Sequence, residues 1–214
     1  MLVSVNRFLD FIGKKDCQVK LFKIQRNPFR KKDKELTKEE YNRLILAAKA
    51  KSSSRLFLMI QAICSTGIRV SEHRFITREA LERGRITIYN KGKERVVFLP
   101  KKLKKCLLQY CRQNGIYSGP VFVTKNGTPV NRCNVWAEMK ALCKEAGVSP
   151  EKVFPHNLRH LFAKIFYERD HDLVRLADYL GHSSVETTRR YTIISSREAC
   201  RRQLELGLLI DREN

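Results

Sequence analysis

HNLRHLFAKIFYERDHDLVRLADYLGHSSVETTRRYT, residues 156–192, decides how this chain is read. Pro155 stands just ahead of it, at a first-turn position where the missing N–H costs nothing and the fixed φ suits a helix. Apolar residues then recur at helical spacing through Arg169, again from Leu173 to Leu180, and again around Val185 to Arg190. His156 and Arg159 are three apart on the first of these helices, so both can face one cleft. Gly181 stops the second helix and leaves His182 on a connection, with Tyr191 nine positions on, behind Arg189 and Arg190. HNLRH does carry histidines at i and i+4, but a zinc-protease helix needs a glutamate after the first, and Asn157 occupies that place.

Working outward, RLFLMIQAICSTG (55–67) is apolar nearly all round and stops at Gly67, which predicts a buried central helix ended by a residue able to adopt positive φ. IRVSEHR follows directly and puts Arg69 and Glu72 at the end of that buried element. His73 stands where an apolar side chain is expected, and it, His160 and His171 receive no role. Thr37 with Glu40 forms a capping box, opening a helix that runs to about Ala50. RITIYN and ERVVFLP are short β-rich runs joined through Lys91, Gly92 and Lys93, the pattern of a hairpin with Lys91 at the strand end or turn. PKKLKKCLLQYCRQNG sets Leu103, Cys106, Leu107 and Tyr110 at helical offsets, with lysines opposite and Gly115 as the stop. VFVT, an Asn126-Gly127 turn and NRCNVWAEMKALCKEAG predict a brief extended piece and one more helix, and REACRRQLELGLL reads as a final amphipathic helix. The fold class is therefore mainly α with a small antiparallel β-sheet or hairpin.

A chain of 214 residues with 43% hydrophobic content can bury a proper core, and its length fits one catalytic-sized unit plus a fragment. Lys and Arg total 43 against 22 acidic residues, a formal net charge of +21, so polyanions are the favoured partners and nucleic acid is the first of them. No apolar run approaches the ~18 residues that span a bilayer, and the opening MLVSVNRFLDFIGKK lacks a cationic n-region and cleavage site, which predicts a soluble protein of the bacterial cytoplasm. Seven cysteines occur with no CxxC pair and no Cys/His spacing, so they read as structural thiols, several buried among Leu and Met, rather than as a disulfide frame or zinc site. SVNRFLDFIG has helical spacing over residues 4 to 13 but is too short for a core, and reads as the last helix of something larger. KLFKIQRNPFRKKDK (20–34) reads as an exposed basic linker, in which Lys23, Arg26, Arg30, Lys31 and Lys32 can follow a phosphate backbone.

Taken singly, Glu72 reads as a helix-end surface acid, Lys91 as a solvated turn lysine, His182 as a capping histidine and Tyr191 as a half-buried aromatic. The ordered set Arg69, Lys91, His156-x-x-Arg159, His182, Tyr191 is different: it resembles the tyrosine recombinases, the integrase family of site-specific DNA strand-exchange enzymes. TGIRVSE looks like that family's first arginine box, NKGKERVVFLP like its lysine hairpin, HNLRH like its His-x-x-Arg box, and LGHSSVETTRRYT like its last histidine and nucleophilic tyrosine. The likeness spans about residues 37 to 200. It implies the tyrosine recombinase catalytic-domain fold over 37–214 with a C-terminal helix, a basic linker at 20–36, and a remnant last helix of a core-binding domain at 1–19. It further implies double-stranded DNA as partner, cleavage and rejoining through a 3′-phosphotyrosine, no metal and no ATP, and service to a phage, transposon or other mobile element. In the full-length form it implies a homo-tetramer on DNA, with the C-terminal helix docked on a neighbouring protomer. With only the last helix of the clamp domain in the sequence, DNA binding is expected to be weak and strongly salt-dependent.

Physical chemistry explains why such a set works. A phosphodiester repels an attacking oxygen, and its transition state gathers charge on the non-bridging oxygens. Arg69 and Arg159 keep their charge at any working pH and offer flat donor forks matched to phosphate. Tyr191, with a solution pKa of ~10, needs those cations or a base to lower the cost of ionising as it attacks. The leaving 5′ oxygen needs a proton, which an ammonium on a flexible stem can supply, so Lys91 is the general acid, with Lys93 the runner-up. By resemblance, His156 is the base or orients the nucleophile, His182 hydrogen-bonds the phosphate, and Glu72 holds an arginine or histidine in place. Lys93, Arg189 and Arg190 complete the DNA-contacting residues. Two other readings stay open: a non-catalytic regulator using DLVRLADYLGHSSVETTRRYT as a helix-turn-helix, and a type IB topoisomerase that relaxes DNA without exchanging partners.

Overall fold

The computed structural model describes residues 2–19, 34–51, 54–90, 92–124, 126–182 and 184–189, with only the backbone described for Leu2, Val3, Glu186 and Arg189. In chain order the elements are α1 (Leu2–Phe11), α2 (Lys38–Ala50), α3 (Ser54–Thr66), α4 (Arg78–Arg83), β1 (Arg85–Asn90), β2 (Lys93–Phe98) and α5 (Lys101–Gln113), followed by α6 (Arg132–Lys140), α7 (Cys143–Ala146), α8 (Pro155–Asp170), α9 (Leu173–Leu180) and α10 (Val185–Arg189). This is the mainly α architecture with one small antiparallel sheet that the sequence predicts.

Helix α3 is the core of the molecule. Leu56, Leu58, Met59, Ile60, Ala62 and Ile63 are all buried, and the helix packs on α2, α5, α6 and α8. Each large side chain so enclosed contributes roughly 1.5–3 kcal/mol relative to exposure. Thr37 caps α2 as predicted: its Oγ1 accepts from the Glu40 N–H at 3.2 Å, and Glu40 Oε2 accepts from the Thr37 N–H at 2.9 Å. At the far end of α3, Gly67 has φ +65° and donates its N–H to Ile63 O. A Cβ there would run into the Phe162 ring on α8, so glycine is required both for the turn and for the close approach of two helices.

The hairpin pairs Arg85 with Phe98 through Asn90 with Lys93. Ile86, Ile88 and Val97 face inward and are buried. Lys93, expected in the joining turn, is the first residue of β2, and Lys91 lies outside the described residues.

Several expectations are corrected. Helix α4 was not anticipated: Thr77 Oγ1 accepts from the Ala80 N–H at its start and Gly84 at φ +71° ends it, but six residues are too few for periodicity to show. The single helix expected over 131–147 breaks at Ala141-Leu142 into α6 and α7, so that Val135 and Met139 on one and Cys143 and Ala146 on the other reach the same core. On α5 the buried stripe is Leu103, Leu107, Tyr110 and Cys111, which leaves Cys106 at its rim and exposed. Cys17 and Cys133 are exposed too, so burial applies to Cys111 and Cys143, with Cys64 half-buried. His73 behaves as a core residue: it is 3% exposed, its Nε2 lies 2.8 Å from Val130 O, and its ring meets Phe122 edge-on. Residues 20–33, with the expected linker positions Lys23, Arg26, Arg30, Lys31 and Lys32, and residues 190–214, with Arg190, Tyr191 and the helix expected at the end of the chain, lie outside the described residues.

Candidate active site

Two helix ends and a hairpin meet at the site. Immediately after Gly67 the chain enters a 3₁₀ turn (Val70–Phe75), opened by Glu72 reaching back: Glu72 Oε2 accepts the Arg69 N–H at 2.7 Å and Oε1 accepts Arg69 Nη1 at 2.9 Å. From β2, Arg95 lays its fork on the same carboxylate, Nη1 to Oε1 at 3.0 Å and Nη2 to Oε2 at 2.6 Å. Glu72 is therefore a 3% exposed carboxylate between two guanidiniums, not the surface acid that its position alone suggests. Burial pushes its pKa up, but the hydrogen bonds from Arg95 and Arg69 and the Arg95 charge outweigh that and hold it below the usual carboxylate range.

Arg159 points inward from the first turns of α8 and is 2% exposed. Its Nη1 donates to Gly67 O at 2.5 Å and its Nη2 to Leu180 O at 2.7 Å. Those carbonyls stand at the C-terminal ends of α3 and α9, where a helix leaves acceptors unpaired and its dipole favours a cation. Nη2 also reaches His182 Nε2 at 3.0 Å.

The backbone of His182 is fixed by the stop of α9. Gly181, at φ +62°, donates to Asp178 O, and His182 N–H donates to Ala177 O, the paired bonds of a Schellman motif. Arg95 crosses over Gly181, where an added Cβ would lie 2.6 Å from Arg95 Cδ. Burial, then the charges of Arg159, Arg69, Arg95 and His156, lower the His182 pKa to about 4, so the free site holds it neutral.

A cleft of about 980 Å³ opens over these groups, with Arg69, Lys93, Arg95, Gly181, His182 and Thr187 on its walls. Of the predicted residues, the structure thus gathers Arg69, Glu72, Lys93, Arg159 and His182 by contact or by sharing the cleft, while His156 is exposed one turn before Arg159 and near enough to His182 to act on its charge. The Arg189 backbone is in α10; Lys91, Arg190 and Tyr191 lie outside the described residues. Sequence reasoning missed Arg95. The signal was available, because strand alternation puts Arg95 on the same inward face as Val97, opposite Ile88, and a charge there calls for a buried partner. Among the described residues no three His, Cys, Asp or Glu side chains gather in a way that could hold a metal ion.

Residues 34–198 match the phage integrase family. The chain belongs to that family. This integrase-family chain is 34% identical over 172 residues to tyrosine recombinase XerA of Pyrococcus furiosus, covering 77% of the chain and 58% of that relative. To tyrosine recombinase XerH of Campylobacter jejuni it is 38% identical over 141 residues, covering 63% of the chain and 40% of that relative. It therefore spans about half the length of these relatives. Among solved structures, XerH site-specific recombinase bound to difH substrate in a pre-cleavage complex superposes with a TM-score of 0.70 at 25% identity, over 93% of this chain and 62% of that one. The XerA recombinase crystal structure shares the fold at TM-score 0.69 and 23% identity, over 98% of this chain and 74% of that one. Among the described residues no helix is long and apolar enough to cross a membrane.

Proposed function

We propose that this chain is the catalytic part of a DNA strand-exchange enzyme that cleaves and rejoins double-stranded DNA through a 3′-phosphotyrosine at Tyr191, serving integration or excision of a mobile element. The observation that carries the reading is the joining of Arg69, through Glu72 and Arg95, to the turn that also holds Arg159 and His182, so that guanidinium, imidazole and hairpin lysine surround one open cleft. Such a cleft supplies donors on several sides of a bound phosphate, which is what a charge-gathering transition state needs. Tyr191 follows α10 by two residues, and α10 is tied to His182, which supports delivery of the phenol to the same cleft. His156 assists or orients the nucleophile, and Lys91, with Lys93 as the alternative, protonates the leaving oxygen. The net charge of +21 supports DNA as the partner, as do solved relatives in complex with DNA, XerH with difH and the Tn1549 integrase with transposon right end DNA.

In this reading residues 37–214 form the catalytic unit, 20–36 a DNA-tracking linker and 1–19 the last helix of a core-binding domain. Phe8 at 61% and Phe11 at 89% exposure leave α1 an apolar face that suits a preceding helical domain. Four protomers on two duplexes, linked by C-terminal helices, complete the assembly.

The test is a nicked, labelled suicide substrate built from the ends of the encoding element, incubated with the protein in EDTA and resolved on a denaturing gel. The parent is expected to form a slow covalent band that Tyr191→Phe loses. Retarded complexes on a native gel without a covalent band from either protein would favour the regulator reading.

A further inference from the structure

The hydrogen bonds around His182 fix its proton. A guanidinium only donates, so at 3.0 Å from Arg159 Nη2 the His182 Nε2 must accept. A neutral imidazole that accepts at Nε2 carries its hydrogen on Nδ1, and Nδ1 lies 2.8 Å from Thr188 Oγ1. The Thr188 hydroxyl is therefore the acceptor. Thr188 is fully buried on α10, three residues before Tyr191, and neither charge nor periodicity singles it out in the sequence.

We propose that Thr188 is a positioning residue: its hydroxyl holds His182 in the Nδ1–H form and keeps Nε2 aimed at the arginine pocket. The consequence for chemistry rests on the reading above. When a phosphate enters, its oxygen competes with Nε2 for Arg159, and Nε2 takes a proton from solvent to become a donor to that oxygen while Nδ1–H stays on Thr188. His182 then changes from acceptor to donor without turning its ring. Among the described residues, the charged groups facing it, Arg159, Arg69, Arg95 and His156, oppose protonation until the anion offsets them. The same hydrogen bond ties the helix before the nucleophile to the pocket that receives the phosphate.

The test reads the ring directly. Long-range proton–nitrogen correlation spectra of the ¹⁵N-labelled chain without DNA, at pH 7.5, are expected to show His182 protonated at Nδ1. Thr188→Val keeps the shape and removes the hydroxyl, and is expected to shift the ring toward the Nε2–H form or an average of the two; Thr188→Ser is expected to keep the parent pattern. An Nε2–H signature in the parent, or an unchanged signature in Thr188→Val, overturns the proposal. In the suicide-substrate assay Thr188→Val is expected to slow adduct formation by about tenfold or more, as displaced catalytic groups do. Because the spectra need no DNA, the predicted ring pattern without any adduct from the parent would sink the strand-exchange reading and leave the role of Thr188 on His182 standing.

Discussion

At the scale of single residues, the decisive group is a carboxylate. Glu72 accepts from Arg69 and Arg95 together, and without the second fork its buried charge would be under-compensated. Arg95→Met is expected to lower stability by roughly 2–4 kcal/mol at neutral pH, and Arg95→Lys to recover only part of it, because an ammonium cannot span both oxygens. The pH dependence follows from the depressed pKa of Glu72. Its contribution is full above the unfolded value of about 4.3 and is lost as pH falls through the folded value. The gap between parent and Arg95→Met in urea unfolding should therefore be widest near pH 7 and narrow below about pH 4; a pH-independent gap would mean that Arg95 acts by packing alone. Arg69, Glu72, Arg159 and His182 were legible as a set because their spacing follows the family's boxes. Arg95 was legible only as a charge on an inward strand face, and Thr188 not at all, since the partner of each lies far away in sequence or across a turn.

At the scale of elements, two glycine stops aim the site. Gly67 ends α3 so that Arg69 emerges beside Glu72, and Gly181 ends α9 so that His182 emerges beside Arg159. Both stops were readable, because a glycine directly after an apolar helical run commonly takes the left-handed conformation that ends a helix. What the run could not show is the second constraint, the Phe162 ring against Gly67 and the Arg95 stem against Gly181. Gly67→Ala pairs a positive φ with that ring contact and is expected to cost about 2–4 kcal/mol, combining strain and overpacking. Thermal unfolding would measure it, and a variant as stable as the parent would show that α8 can retreat freely. The missed α4 and the broken helix over 131–147 have a common cause: short helices owe their ends to caps and core contacts more than to periodicity.

At the scale of the whole molecule, the charge of +21 dominates association. If binding neutralises about six phosphates, the logarithm of the DNA affinity should fall with log salt at a slope of roughly −5, about a thousandfold between 50 and 200 mM. Fluorescence anisotropy on a labelled duplex across that range checks it. A slope shallower than about −2, or tight site-specific binding at physiological salt, would mean that far fewer phosphates are engaged or that base contacts carry the affinity.

The sequence alone determined the helical class, the hairpin, the capped α2, the buried α3 and the order of the candidate site residues, because periodicity, glycine stops and motif spacing are local properties that need no partner. Only the tertiary structure decided that Glu72 is buried between two arginines, that Arg159 closes the ends of two helices, and that His182 stands between Arg159 and Thr188. Those outcomes depend on which donors and acceptors meet across the fold once water is excluded, and chain spacing does not encode that.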